Sequence, residues 1–292
     1  MKVMYSFVVD GGEKFRLQTR TFISSLLGVG VLPTQILAQV TPSVDSETRN
    51  LIRGFGVFVR TIEPVLDKKY CNKIAQLKDI EDYPSDIYVL CDTDLAFAEN
   101  ISRQFDTESV RGKIVDVCRP PLPVLKRLCG IAGIPQDARL MNTILDEKPT
   151  FSTNCNGGLY GIPKRLAKDL HATWFEIGKL LFERPELLGQ WRVNTDQVAF
   201  CLAMLKLKQD NREFSIEYNF PLHLPGQFGR LSFGTPKVLH YHMRLRADGY
   251  VLRSGNPVAD KAVDRVNANL KKQFAGAAAF WKVSPTPRPP SP

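Results

Sequence analysis

Apolar residues along the chain form short β-rich runs that alternate with stretches of helical spacing. The β-rich runs lie at 3–9, 29–40, 57–64, 87–91 and 113–118. Apolar residues recurring every three or four positions predict helices at 15–27, 72–77, 123–131, 164–188 and 196–207. Strands that alternate with helices are typical of an α/β fold with a mostly parallel central sheet. Ligands of such sheets bind beyond the carboxyl ends of the strands, so we expect functional residues there.

The chain divides into one long region and a short tail. No change of composition separates parts of residues 1–283, which we predict to form a single domain. The remaining segment, 284–292 (SPTPRPPSP), is rich in proline and has no apolar period. Such segments cannot bury a core, so we predict this tail to be disordered or extended.

The charge balance favours anionic partners. The chain of 292 residues has 39 Lys plus Arg and 30 Asp plus Glu, a formal net charge of +9. This excess suits nucleotides, phosphorylated metabolites, nucleic acid or an acidic membrane face. No nucleic-acid-binding module is recognisable, so we predict no nucleic acid partner. The basic surplus allows peripheral contact with a membrane.

The cysteines and the lengths of the apolar runs bear on the cellular location of the protein. Six cysteines lie far apart without a Cys-x-x-Cys pair, and apolar residues flank most of them. Reduced core thiols and a cytoplasmic location are the expectation. The first residues do not resemble a signal peptide, and no run of apolar residues is long enough to span a membrane.

Two carboxylates follow the most apolar strand. The stretch 87–100 (IYVLCDTDLAFAEN) places Asp92 and Asp94 on either side of Thr93, directly after an apolar run. Adjacent carboxylates repel each other unless a cation offsets their charge. Mn²⁺ and Mg²⁺ prefer oxygen ligands and leave positions open for phosphate oxygens. The pair is therefore a candidate metal and diphosphate clamp. The alternative is a solvated turn in which one aspartate caps a following helix.

Two of the four histidines of the chain lie together in a late β-rich run. The segment 237–243 (KVLHYHM) contains His240 and His242. An imidazole from a distant segment is a plausible additional ligand for a Mn²⁺-like ion. A core or surface histidine is the alternative for either residue alone.

Two further segments carry polar groups before apolar runs. Segment 151–163 contains Asn154, Asn156, Gly157 and Gly158. Amide side chains suit hydroxyl-rich ligands, and glycines allow close approach to the backbone. A glycine-rich turn is the alternative. In 193–198 (VNTDQV), Asp196 and Gln197 open a predicted helix, and capping with the helix dipole would explain them without a function.

The order of these motifs resembles that of nucleotide-sugar glycosyltransferases with the GT-A fold, and most closely glycosyltransferase family 8. Those enzymes carry a strand ending in Asp-x-Asp, an Asn-Gly segment, an Asp-Gln pair and a late histidine. The stretch 218–226 (YNFPLHLPG) is also similar to the segment that precedes this histidine in the family. The resemblance covers most of residues 1–245, and its specificity lies in the order of the motifs.

The resemblance implies a GT-A-like domain with a mixed, mostly parallel sheet and assigns roles to individual residues. It implies metal ligands for Mn²⁺ or Mg²⁺ at Asp92, Asp94 and His240. It implies donor-binding residues at the end of the first strand, in the acidic motif and in the glycine segment: Val8, Val9, Asp10, Thr93 and Gly157. It implies that Asn156, Asp196 and Gln197 lie near the reacting sugar.

The implied activity is transfer of a sugar from a nucleoside-diphosphate sugar, with uridine diphosphate as the usual carrier, to an acceptor hydroxyl with retention of configuration. The acceptor could be a saccharide, a lipid-linked glycan, a metabolite or a protein. The sequence departs from the family after the histidine, where MRLRADGY replaces the usual Gly-x-x-Lys-Pro-Trp. Arg244, Arg246 or Arg253 could replace that lysine at the diphosphate.

Two other hypotheses are compatible with the acidic pair. A haloacid-dehalogenase-like phosphohydrolase would use Asp92 as nucleophile and Asp94 as general acid, but such a motif usually follows the first strand. A protein with this fold could also bind a nucleotide sugar without turning it over. Turnover of a nucleotide sugar would separate the enzyme from the binding protein.

Overall fold

The computed structural model describes residues 1–281 and confirms the predicted alternation of strands and helices. The strands are β1 (Val3–Val9), β2 (Ile36–Val40), β3 (Phe58–Thr61), β4 (Ile87–Cys91), β5 (Leu95–Phe97), β6 (Arg111–Ile114), β7 (Leu140–Asn142), β8 (Pro149–Phe151), β9 (Cys155–Pro163), β10 (Phe220–Pro221) and β11 (Val238–His240). The α-helices are α1 (Glu13–Gly28), α2 (Ser46–Gly54), α3 (Leu122–Ile131), α4 (Lys164–Glu183), α5 (Thr195–Lys206) and α6 (Pro257–Trp281). The predicted tail 284–292 lies outside the described residues.

The central sheet is mixed and mostly parallel, as predicted. It has six strands in the order β3-β2-β1-β4-β9-β6. Strands β1 to β4 run parallel to one another, and β9 runs antiparallel to β4 and β6. Phe7 pairs with Cys91, so β1 and β4 end side by side. Asp10 and Asp92 therefore follow neighbouring strands at one edge of the sheet.

Both faces of the sheet are covered, which explains why the central strands are apolar throughout. All five residues of β4 are buried, and their side chains alternate between the two faces. Tyr88 and Leu90 belong to the core that includes α4 and α5, with Trp174 and Phe200. Ile87, Val89 and Cys91 belong to the core that includes Phe22 of α1.

A small second sheet places the late histidine. Strand β11 pairs antiparallel with β5, which follows the acidic pair, and parallel with β10. His240 lies opposite Leu95 in this register. Helix α6 packs on α1 and contributes Val263, Val266 and Leu270 to a third core.

Several elements differ from the sequence-based prediction. The strand predicted at 29–40 begins at Ile36, after a 3₁₀ turn at Pro33–Gln35, since proline supplies no N–H for pairing. The strand predicted at 113–118 ends at Ile114. Helices α2 and α6 were not predicted. Asp45 caps α2 by accepting a 2.7 Å hydrogen bond from the Thr48 amide.

The glycine-rich segment forms part of strand β9 and not the turn that was its alternative interpretation. Glycine is needed there because neighbours lie very close to the backbone. A Cβ on Gly161 would lie 2.4 Å from the Phe105 ring, and one on Gly158 would lie 2.8 Å from His240 Nδ1. Within residues 1–281, no helix combines the length and the apolar character that crossing a bilayer requires.

Candidate active site

The predicted motifs meet at the carboxyl edge of the central sheet. The Asp92 amide donates a 2.9 Å hydrogen bond to the Gly158 carbonyl, which joins the acidic motif to β9. The Tyr241 amide donates a 3.0 Å hydrogen bond to the Asp94 carbonyl, which joins the motif to the end of β11. The antiparallel β9 and β11 therefore bring the Asn-Gly segment and the histidines to the acidic pair.

The two aspartates have different partners. The Asp92 carboxylate forms an ion pair with the Lys73 ammonium, which also donates a hydrogen bond to the Gly157 carbonyl. The Lys73 side chain is only 7% exposed, whereas that of Asp92 is 36% exposed. Lys73 was not predicted as a site residue. Its only signal was a lysine within CNKIAQL, a largely apolar stretch with predicted helical spacing.

The Asp94 carboxylate lies against two imidazoles. His240 Nε2 is 3.2 Å from Asp94 Oδ1, and His242 Nδ1 is 3.8 Å from Asp94 Oδ2. Asn219 Oδ1 lies 3.0 Å from the other ring nitrogen of His240. That contact holds the ring in place and fits a proton on Nδ1, which leaves Nε2 directed at the carboxylate.

Burial and charge act in opposite directions on this cluster. Burial acts to raise the pKa of Asp94, but the charge and the hydrogen bond of His240, together with the charge of Lys73, outweigh it and hold that pKa well below its usual range. Burial acts to lower the pKa of His240, yet Asp94 outweighs it, and the pKa of His240 is raised. Burial and the neighbouring His240 lower the pKa of His242 to about 3. Asp94 is thus an anion and His242 is neutral at physiological pH.

A third histidine packs on this pair. The rings of His240 and His242 are stacked, with their centroids 4.2 Å apart and an interplanar angle of 17°. The centroid of the His223 ring lies 3.7 Å from that of His242. His223 Nδ1 is 3.4 Å from the His240 carbonyl. His223 lies within 218–226, and no role was predicted for it from the sequence.

Asn156 is held in a polar network at the start of β9. Its amide nitrogen donates a 3.1 Å hydrogen bond to Asp116 Oδ2, and its amide oxygen accepts one of 3.0 Å from Asn219. The buried Lys113 ammonium forms an ion pair with Asp116. Asn154, by contrast, is fully buried and donates to Thr150. The network fixes the Asn156 side chain, and Asp116 and Asn219 could not be found from the sequence pattern.

Asp196 and Gln197 approach the same glycine from α5. Gln197 Oε1 accepts a 3.0 Å hydrogen bond from the Gly157 amide. The Asp196 side chain is buried, and burial raises its pKa to about 7 against the opposing charge of Lys73. The helix has no side-chain cap at Asn194. Asp196 nevertheless lies in the first turn of α5, where the helix dipole favours an acidic residue.

The other predicted residues surround this cluster or continue beyond it. Val9 and Thr93 are buried, and Val8 is partly buried. Asp10 is half-buried and accepts a 3.4 Å hydrogen bond from Asn72, and burial raises its pKa. The Arg244 guanidinium donates to the Arg253 carbonyl in the loop after β11. A contact of Arg244 with a diphosphate stays a prediction.

A groove of about 690 Å³ opens beside His242, between α1 and the loop after β11. Its apolar lining includes Leu17 and Met243, and its basic residues are Lys14, Arg16 and Arg20. The volume falls in the range of small-molecule sites, roughly 300–1,000 Å³.

The Asp94 cluster has a donor set that fits a divalent metal ion. Asp94, His240 and His242 each offer one ligand atom, and these atoms all lie within 4.8 Å of one another. Carboxylate oxygen and imidazole nitrogen are common ligands of Mn²⁺ and related ions. The arrangement thus combines a metal-binding cluster with buried polar groups around Gly157.

Comparisons with known proteins define the class of fold. No protein-family model matches the chain, and a search of curated proteins found no match. An active-site mutant of LgtC superposes with a TM-score of 0.59 at 12% identity, covering 91% of this chain and 96% of that chain. The galactosyltransferase LgtC in complex with donor and acceptor sugar analogs gives a TM-score of 0.52 at 14% identity, covering 92% and 96%. The glycosyltransferase GlyE from Streptococcus pneumoniae TIGR4 gives a TM-score of 0.50 at 14% identity, covering 94% of this chain and 65% of that chain.

The chain has the GT-A glycosyltransferase fold. The similarity to LgtC extends over nearly the full length of both chains, and it confirms the predicted fold class.

Proposed function

We propose that the protein is a glycosyltransferase of the family 8 type. It moves a sugar from a nucleoside-diphosphate sugar, with uridine diphosphate as the carrier, to an acceptor hydroxyl with retention of configuration. The acceptor is a saccharide, a lipid-linked glycan, a metabolite or a protein. One observation carries the proposal: the carboxyl edge of a glycosyltransferase-like sheet assembles Asp92, Asp94, Asp196 and His240 around the backbone of β9.

The proposed cofactor is Mn²⁺ or Mg²⁺. Of the three ligands expected from the sequence, Asp94 and His240 already face each other, and Asp92 is paired with Lys73. When bound, a divalent cation offsets the negative charge that develops on the departing nucleoside diphosphate.

The residues around Gly157 would hold the donor sugar. Lys73 and Gln197 contact the carbonyl and the amide of Gly157, so both keep this backbone segment in one conformation. Asn156 is oriented by Asp116 and Asn219 and can bond a sugar hydroxyl. The Asp196 carboxylate would stabilise positive charge that develops at the reacting carbon.

The end of β1 would bind the nucleoside. Val8 and Val9 are the last residues of β1, and Asp10 follows them at the edge of the sheet where the candidate site lies. Thr93 lies between the two acidic residues. An Asp10 carboxylate can accept hydrogen bonds from a base or a ribose. Arg244 is the proposed cation for the diphosphate, by bidentate contact. The six free, buried cysteines support a cytoplasmic location.

Asp94→Asn tests the proposed activity. We expect the variant to lose about 100-fold or more in turnover of a nucleotide sugar, because a neutral amide is a weaker ligand for the divalent cation that offsets the charge of the diphosphate. The assay measures release of nucleoside diphosphate from a panel of nucleotide sugars with Mn²⁺ present.

The matched control is Asp86→Asn at the opposite end of β4, where Asp86 Oδ2 accepts a 2.6 Å hydrogen bond from the Lys2 amide. We expect its turnover to stay within about twofold of the unmodified protein, since surface substitutions far from a site have small effects. Normal turnover in Asp94→Asn would contradict the proposed function.

A further inference from the structure

We propose that Lys113 is a positioning residue of the donor-sugar site around Gly157. Lys113 holds the carboxylate of Asp116, and that carboxylate sets which atom of the Asn156 side-chain amide faces the ligand. At this place the protein then selects a ligand hydroxyl whose oxygen accepts a hydrogen bond. This inference rests on the proposed function, because the ligand is the sugar of a nucleotide sugar, and it adds a specificity-determining pair to that function.

A lysine in the interior of the sheet requires a partner. The Lys113 side chain is 0% exposed and that of Asp116 is 11% exposed, and the two form an ion pair. Lysine is almost never fully buried unless it is paired, since an ammonium without a counterion is strongly unfavourable in the protein interior. An apolar side chain at position 113 would avoid that desolvation. The buried pair therefore calls for a role beyond packing.

The pair lies where strand β9 departs from strand β6. The register of the two strands shifts between Gly112 and Ile114, so that Lys113 alone lies opposite residues 156–159 of β9. Bulges of this kind re-aim side chains and are common next to active sites. The bulged residues belong to the proposed donor-sugar site, and the ion pair contacts them through Asn156.

Asn156 is oriented by the kind of atom that it meets. A carboxylate accepts hydrogen bonds and donates none, so the Asn156 side-chain nitrogen faces Asp116 Oδ2, at 3.1 Å. The Asn156 side-chain oxygen accepts hydrogen bonds from the Asn219 side chain at 3.0 Å and from the Gly158 amide at 2.9 Å. Both lone pairs of that oxygen are then engaged, and the second N–H of Asn156 is left for a ligand. The matching ligand atom is an acceptor, such as the oxygen of a sugar hydroxyl.

Lys113→Met should release this orientation. Methionine keeps an unbranched apolar stem but carries no charge, so Asp116 loses its cation. A largely buried carboxyl group without a cation favours its neutral form, and a neutral carboxyl group donates as well as accepts. Asn156 can then present either its nitrogen or its oxygen to the ligand.

Calorimetry with two probes separates positioning from a purely structural role. Uridine diphosphate lacks the sugar, whereas the members of a panel of uridine-diphosphate hexoses carry it, and each is titrated with Mn²⁺ present. We expect Lys113→Met to lower the affinity for the hexose nucleotide that binds most tightly by about tenfold, the effect of one oriented hydrogen bond. The affinity for uridine diphosphate should change by less than about twofold. A purely structural role would change both affinities together or neither.

A double variant keeps the test valid if a single variant is unstable. Asp116→Asn leaves a fully buried ammonium without a counterion, so we expect its melting temperature to fall by roughly 5 °C or more. Lys113→Met combined with Asp116→Asn has no charge at this place and should recover most of that loss. It should still show the tenfold weaker binding of the hexose nucleotide, because an amide donates as well as accepts.

The matched control is Lys206→Met. Lys206 on α5 forms an ion pair with Glu176 on α4, at 2.8 Å, and its side chain is 38% exposed. A surface ion pair contributes little to stability. We expect the control to keep both affinities and the melting temperature of the unmodified protein.

Monodeoxy analogues of the same hexose nucleotide identify the hydroxyl. We expect the unmodified protein to bind one analogue about tenfold more weakly than the parent compound. Lys113→Met should bind that analogue and the parent compound equally, because the variant has already lost the contact that the missing hydroxyl makes.

The proposal is overturned if Lys113→Met and the double variant keep the ratio of the two affinities that the unmodified protein has. It is also overturned if binding of uridine diphosphate weakens as much as binding of the hexose nucleotide. Both results leave the proposed transferase intact, since the unmodified protein still binds the nucleotide sugar. If the unmodified protein binds neither probe, the proposed function fails and the positioning role fails with it.

Discussion

At the scale of single residues, the pair formed by Lys73 and Asp92 predicts an asymmetric response to mutation. Removing Asp92 leaves an ammonium that is only 7% exposed, whereas removing Lys73 leaves a carboxylate that is 36% exposed. An unpaired buried charge costs more than a solvated one. We expect Asp92→Asn to lower the free energy of unfolding by on the order of 2 kcal/mol, and Lys73→Met by less. Urea unfolding of both variants measures the difference, and a larger loss in Lys73→Met would show that Lys73 does not depend on this partner.

Asp196 predicts a pH dependence of stability. Its pKa in the folded protein is raised from 3.8 to about 7 by burial. The unfolded chain therefore releases this proton at a lower pH than the folded protein does. The free energy of unfolding consequently decreases as the pH rises from about 4 to 7, because only the unfolded chain is then ionised at Asp196. Asp196→Asn stays neutral throughout. We expect the variant to gain stability relative to the unmodified protein between pH 5 and 8, by on the order of 2–3 kcal/mol.

Urea unfolding at pH 5, 6, 7 and 8 measures this gain. The control is Asp169→Asn, whose side chain is on the exposed surface of α4, and its stability should follow the pH profile of the unmodified protein. A constant difference between Asp196→Asn and the unmodified protein at every pH would contradict a raised pKa at Asp196.

At the scale of elements, strand β9 contains a glycine, Gly158, where any side chain would have to displace its neighbours. A Cβ on Gly158 would lie 2.8 Å from His240 Nδ1 and 2.9 Å from Asn219 Nδ2. The His240 ring and the Asn219 side-chain amide form the contact that orients the ring, so a Cβ at this position would disturb both partners. We expect Gly158→Ala to lower the free energy of unfolding by about 1–3 kcal/mol and metal affinity by about tenfold.

The neighbouring Gly157 supplies the control. A Cβ there would have its nearest contacts at 3.6 Å, an ordinary van der Waals distance. Gly157→Ala should therefore keep metal affinity near that of the unmodified protein, as measured by calorimetry. Equal losses in the two variants would show that strand β9 and not the His240 contact is disturbed.

At the scale of the whole molecule, binding should stabilise the fold. A ligand that binds only the folded state, at 100 times its dissociation constant, adds about 2.7 kcal/mol to stability. For a domain of this size that corresponds to a rise in melting temperature of roughly 5 °C. We expect this rise with a uridine-diphosphate sugar and Mn²⁺, and its loss after addition of EDTA. Thermal unfolding with a panel of nucleotide sugars measures it, and a rise that survives EDTA would separate nucleotide binding from the metal.

The alternation of strands and helices was predictable because the local spacing of apolar residues encodes it. Strands β1 and β4 have their predicted bounds, and α1 and α5 lie within one or two residues of theirs. Strand β9 was not predicted, since its glycines carry the local signal of a turn. Only its neighbours Phe105 and His240, distant in sequence, show why glycine is required.

The candidate site was predictable as a set of residue types but not as a set of contacts. Asp92, Asp94, Asn156, Asp196 and His240 were singled out from motifs, and the fold gathers them at one edge of the sheet. Lys73 was missed because a lysine in an apolar stretch has no distinctive pattern. Its partner Gly157 is 84 positions away, and only strand order brings the two together.

The amino-acid sequence by itself determined the α/β alternation, the apolar strand that ends in two carboxylates, and the polar groups available for chemistry. These features are local, and a period of two or 3.6 residues is enough to specify them. The tertiary structure alone decided which carboxylate meets a lysine and which meets two histidines. That division depends on β4 pairing with β9 and β5 pairing with β11, and such long-range registers are set by the packing of the whole core.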